Sequence, residues 1–193
     1  MSRAELMAKM TPHGIVISGQ GFGGTQAISA MDVAGALGMG RLSRPAYLFG
    51  LLKYTGDTAA ASSVYRITTE QVEALATGEG WNVSSHELAQ LVGMAIRENM
   101  HAAVCPACNG SGVVAAKECG ECHGIGRLAT SNRERARLFG VPETTWRRQW
   151  RERADRCYRI VQAWDADVVR HLAWQFMPDH MRGDMITPEM AGC

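Results

Sequence analysis

The chain has 193 residues, of which 46% are apolar, and a formal net charge of only +1. That length holds one medium domain or two small ones with a buried core, which excludes a wholly disordered polar chain. No stretch reaches the roughly 20 apolar residues of a membrane-spanning helix, and Met1 to Met10 carry no apolar run of signal-peptide length.

In chain order, residues 1–30 contain Gly19-Gln-Gly21-Phe-Gly23-Gly24-Thr25, and Gly14 to Ser18 is a short β-branched run. There is no lysine to complete a phosphate loop and no strand-to-helix frame, so the segment is expected to be a flexible glycine-rich arm. Met31 to Leu37 predicts a short helix ended by Gly38 and Gly40. Ser43, with Pro45 in the first turn, predicts a second helix to about Tyr54. A third is expected to start at Thr68 or Thr69 and end near Gly78. Ser84-Ser-His-Glu87 is a capping box opening a helix to about Ala102, with Leu88, Leu91, Val92, Ala95 and Ile96 on one face.

That helix leads directly into two copies of C-x-x-C-x-G-x-G, Cys105 to Gly112 and Cys119 to Gly126, ten residues apart. Cys105, Cys108, Cys119 and Cys122 supply four thiolates for one tetrahedral Zn²⁺, and the glycines let backbone N–H groups turn back onto the sulfurs. Two disulfides are the alternative, but without an export signal a reducing cytosol favours metal. Four sulfur ligands leave no open coordination position, so the expected zinc is structural and single. His123 could replace one cysteine. Cys157 falls on an apolar helix stripe and Cys193 in the tail. Val113-Val114 is expected in a hairpin of the finger.

Next comes Ser131 to Arg148, with the pattern of a helix-turn-helix. Ala136 allows close helix approach, Gly140 suits a left-handed turn, Val141 plugs the gap and Pro142 to Thr144 begin the next helix. On a wheel of about 100° per residue, Trp146, Trp150, Ala154, Cys157, Val161 and Trp164 share an arc of about 80° and read as core.

Charge sharpens this pattern. Half of the 20 cations lie in residues 127–160, and all of those are arginine. Planar guanidinium forks suit phosphates and guanine edges. Thr144, Thr145, Arg147, Arg148 and Arg151 lie in the first turns after the bend, where a recognition helix reaches base edges. Arg133, Arg135 and Arg137 are placed nearer the phosphates. An Arg148–Glu152 ion pair is the simplest structural use of one of these arginines.

With these residues in place, the chain resembles the late-gene antitermination protein Q family of bacteriophage lambda. The resemblance covers roughly residues 30 to 165. It rests on Met31 to Gly40, on the paired knuckles, and on Val141 to Trp146 with the arginines that follow. The insert between the cysteine pairs is shorter here, and Ala163 to Cys193 has no counterpart. The resemblance implies a factor in the host bacterial cytoplasm that binds a late-promoter element in double-stranded DNA. It further implies that the factor engages host RNA polymerase holoenzyme through sigma and core, then carries polymerase past pauses and terminators. Contact with nascent RNA stays open, and the helices at 31–54 and 84–102 are candidates for the polymerase face.

The expected fold is mainly α. It comprises an arm at 1–30, a helical domain at 31–104, an inserted four-cysteine zinc finger at 105–126, an arginine-rich helix-turn-helix at 127–165 and an acidic tail at 166–193. Two other readings share these residues: a regulator acting only at initiation, and a zinc-binding interaction module like the DnaJ cysteine-rich region. An enzyme is not expected, since no clustered carboxylates or nucleophile–base spacing appear.

Overall fold

A computed structural model describes residues 28–101, 103–122, 126–128 and 130–177. The expected N-terminal arm to Ala27, the Gly14–Ser18 run, His123 and the end of the tail lie outside them. Helix α1 (Ala30–Gly38) opens on a capping box in which Ser29 and Asp32 exchange hydrogen bonds, so the end of the helix is fixed by local chemistry. Helix α2 (Arg44–Gly50) starts at the Ser43 cap with Pro45 in its first turn. It runs on as a single π-turn, Leu51–Thr55, closed by Gly56 in the left-handed conformation.

A 3₁₀ turn, Thr58–Ala60, then feeds helix α3 (Ala61–Gly78). This helix begins well before Thr68 and Thr69, contrary to the expectation. Asp57 accepts from the Ala59 N–H and starts the chain turning, and three alanines propagate the helix. Thr68 and Thr69 sit inside it, their hydroxyls donating back to the carbonyls of Val64 and Tyr65 at 2.7 and 2.9 Å. Helix α4 (Ser85–Met100) opens on the Ser84–Glu87 capping box and buries Leu88, Leu91, Val92 and Ala95 as expected.

Four two-residue strands follow: β1 (Ala103–Val104), β2 (Val113–Val114), β3 (Lys117–Glu118) and β4 (Arg127–Leu128). Strand β1 pairs antiparallel with β4, and β2 with β3. The chain therefore leaves and rejoins the helical body at one place.

Helix α5 (Asn132–Phe139) ends at Gly140, whose φ of +78° lies where a side chain is disfavoured. The Gly140 N–H donates to the Arg137 carbonyl and the Val141 N–H to the Ala136 carbonyl, a Schellman closure of the helix. After Pro142 a helical rod begins with α6 (Glu143–Thr145), widens into a π-turn at Trp146–Trp150 and continues as α7 (Arg151–Gln175). At 1.5 Å per residue the rod is about 50 Å long.

This rod is the axis of the core, with α1, α2, α3 and α4 packed along it. Trp146, Trp150, Ala154, Cys157, Val161 and Trp164 are all buried, as the wheel predicts, and the stripe continues through Val168 and Leu172. The boundary expected at 165/166 therefore falls inside a helix, and Val168, Leu172 and Ala173 beyond it belong to the core. Phe139 closes on Trp146 and Trp150 with ring centroids 5.5 and 4.5 Å apart, while Phe49 meets Trp164 at 6.4 Å. These side chains and those of α1 to α4 form a single cluster. The helices expected as separate domains thus share one interior. No helix among the described residues is long and apolar enough to cross a membrane.

Candidate metal centre and basic helix face

The sulfurs of Cys105, Cys108, Cys119 and Cys122 all lie within 4.8 Å of one another, and all four residues are buried. Cys105 and Cys119 Sγ are 3.9 Å apart, and Cys108 and Cys122 Sγ 3.7 Å. A tetrahedron with metal–sulfur bonds near 2.3 Å has edges of about 3.8 Å, whereas a disulfide requires about 2.05 Å. The four residues are free thiols in an arrangement that can coordinate a metal ion.

The backbone that builds this cluster repeats itself. The Gly112 N–H donates to Cys108 Sγ at 3.3 Å, and the Gly126 N–H to Cys122 Sγ at 3.1 Å. The Cys105 N–H reaches the Gly126 carbonyl, and the Cys119 N–H the Gly112 carbonyl. Each turn thus closes on the other, so neither half holds its geometry alone. Gly126 has a φ of +75°, and an added Cβ would lie 2.3 Å from the Gly110 carbonyl oxygen. Glycine is required there by both conformation and space. The β2–β3 hairpin turns through Ala115 and Ala116, both at positive φ (49° and 61°), a type I′ shape that suits Asn-Gly far better.

Crowding the thiols spreads their acidities. Burial opposes ionisation of Cys108, but the Gly112 N–H, the Cys122 and Cys105 thiols and the Gly110 N–H outweigh it and bring the group down to about 7. Burial, together with hydrogen bonds to the neighbouring thiols, pushes Cys122 up to about 11. A divalent ion bound by these four sulfurs would favour the deprotonated form of all of them.

The arginines expected to contact DNA divide into two sets. Arg133 is exposed, and Arg137 is exposed and paired with Glu134 at 2.6 Å. Arg135, placed with them by sequence, is instead buried. Its guanidinium meets Glu98 at 2.6 Å and Asp155 at 2.7 Å, so it joins α5 to α4 and α7 and cannot reach a phosphate. Burial disfavours its charge, but the two carboxylates more than compensate and raise its pKa. Thr144 is exposed and Thr145 half-buried. Arg147 pairs with Glu143 at 2.6 Å, Arg151 stands 3.9 Å from Asp155, and Arg148 is exposed with no ion pair among the described residues. The expected Arg148–Glu152 pair does not form; Glu152 turns to Arg156 at 3.5 Å.

Sequence reasoning missed that this face also lines a groove of about 1020 Å³ between the α3–α4 connection and the rod, with Arg147, Arg148 and Arg151 at one end of it. Trp81 lines it together with Arg153, Arg156 and Arg159. The Arg153 guanidinium lies 5.7 Å from the Trp81 ring and 5.2 Å from that of Trp150. Arg156 pairs with Glu79, which also accepts from Trp81 Nε1 at 3.0 Å. The arginines were visible as part of the cationic run. The tryptophan wall, some 70 residues earlier, had no signal.

A family model described as Conserved hypothetical protein CHP02642 matches residues 52–178, about two thirds of the chain. Comparisons with curated proteins and with solved structures gave no match.

Proposed function

The chain belongs to the family of Conserved hypothetical protein CHP02642, a description that carries no activity, and we propose from the site itself that it is a metal-pinned, sequence-specific DNA-binding transcription factor. One observation carries this reading. On the rod after the Gly140 turn the indoles of Trp146 and Trp150 face the core, while Thr144, Arg147, Arg148 and Arg151 face outward. Such a division leaves a cationic helix end free to enter a major groove.

In this reading α5 and the start of the rod are a helix-turn-helix. Arg147, Arg148 and Arg151 read base edges, and Arg133 and Arg137 hold phosphates. Arg135 has no DNA role and fixes the angle between the two helices. The four cysteines hold one structural Zn²⁺. The resemblance to the antitermination Q family extends the proposal: a late-promoter element as target, host RNA polymerase as partner, and readthrough of terminators as outcome, in the cytoplasm of the host.

A footprint on the late promoter, with and without polymerase holoenzyme, tests the DNA reading. Alanine at Arg147, Arg148 and Arg151 together should abolish the specific footprint, each base contact being worth about 1–3 kcal/mol. Retention of the footprint in the triple variant would rule this helix out. Runoff transcription through a downstream terminator tests the wider role. Readthrough that depends on the promoter element supports antitermination, and a change in initiation alone supports an ordinary regulator.

A further inference from the structure

The groove that Arg147, Arg148 and Arg151 line at one end gains a wall farther along the rod. Beside Arg153, Arg156 and Arg159 the α3–α4 connection stands alongside α7 and brings Trp81 over Arg153. A helix needs both flanks clear to sink into a duplex groove about 12 Å wide, and here one flank is occupied. We propose that this channel is a second nucleic-acid site, one that takes a single strand.

Three features define the ligand. Arg159 is exposed and makes no ion pair among the described residues, so its charge is available to an anion, whereas Arg153 has Glu87 as a charged neighbour and the groove also carries Glu79, Glu152 and Asp155. The arginines recur every three residues, about 4.5 Å of helix rise, and their long arms can meet successive phosphates. The half-buried Trp81 indole offers a flat surface on which an unpaired base stacks, without regard to its identity, once the Arg153 guanidinium 5.7 Å from its ring moves to a phosphate. Glu79 restrains the site. It holds Arg156 and accepts from Trp81 Nε1, placing a carboxylate where the strand's backbone would run. Phosphate must displace it.

The test measures fluorescence anisotropy of the full chain, zinc-loaded, with labelled oligo(U) and oligo(dT) of about twelve nucleotides, across a salt series, beside the promoter duplex. Trp81→Ala should weaken single-strand binding about tenfold. Arg159→Ala should flatten the log–log salt slope by about 0.7, the value of one phosphate on a single strand. Glu79→Gln should tighten binding several-fold. All three should leave duplex affinity within about twofold. The oligo(U) and oligo(dT) arms separate an RNA site from a general single-strand site.

No single-strand binding by the wild-type chain would overturn the proposal. So would unchanged affinity in Trp81→Ala and Glu79→Gln, or equal shifts toward single strand and duplex, which would make the groove an edge of the duplex face. Because Arg147, Arg148 and Arg151 line the near end of the same groove, the Trp81, Arg159 and Glu79 variants, not that triple variant, separate this site from the duplex face. Because Trp81 also packs against the core, Glu79→Gln, an exposed gain-of-affinity change, decides the matter if Trp81→Ala destabilises the fold.

Discussion

Among the described residues, Leu128 is the apolar side chain packed against the four sulfurs, whereas the helical body closes over Phe49, Leu91, Trp146, Val161 and Leu172 in a continuous interior. Both regions hold their chain in place, but by different forces. The body rests on apolar area removed from water, about 1.5–3 kcal/mol for each large side chain. The finger has strands of two residues, valines exposed at its hairpin and almost no interior, so in the proposed reading a metal ion on its four cysteines supplies what burial does not. A perturbation that unfolds one region should therefore leave the other standing, and that independence can be measured.

Metal removal should have the largest effect. Binding of zinc to four thiolates is worth on the order of 10 kcal/mol and more, so a chelator or Cys119→Ser should collapse residues 103–128 while most helical circular dichroism survives. Metal analysis at one zinc per chain in the wild type, with hydrogen exchange confined to the finger after chelation, would bear this out. Global unfolding on chelation would show that the two regions are one cooperative unit. In the body, Trp146→Ala removes a fully buried ring and should cost about 3–5 kcal/mol in denaturant unfolding, with metal content unchanged.

Arg135 sits at the junction. Arg135→Ala leaves Glu98 buried without its partner and should destabilise the body by about 3 kcal/mol, and replacing both residues by leucine should recover most of it. If the single variant melted like the wild type, Arg135 would not be the strut described above. The smallest effect is expected at the hairpin tip. Ala115→Asn with Ala116→Gly relieves two residues at positive φ and should stabilise the finger by about 0.5–1 kcal/mol each, read as slower zinc loss to a chelator with no change in the melting of the body.

These two regions also differ in how legible they were. The cysteine cluster could be read directly because its chemistry is local, with ligands and glycines in fixed sequence spacing. The Gly140 turn and the tryptophan stripe were legible for the same reason. Arg135 was not, because helical period separates faces but does not reveal that Glu98, 37 residues away, supplies a partner. The start of α3 was misplaced since threonine hydroxyls cap helices and also bond back within them, and only the preceding Asp57 decides which. Trp81 gave no signal because its role depends on where α3 and α4 bring their connection.

One consequence follows from the wide turn at Trp146–Trp150, where the Arg151 N–H reaches back five residues to the Trp146 carbonyl instead of four. It inserts one extra residue into the rod, setting the angular phase of everything before it against everything after. Deleting Gln149 would restore ordinary winding and keep the anchors from Trp150 onward seated, yet swing Arg147 and Arg148, and the buried Trp146 with them, by about 100° around the axis. A count of residues thus sets the aim of the cationic end and the seating of the Trp146 indole together.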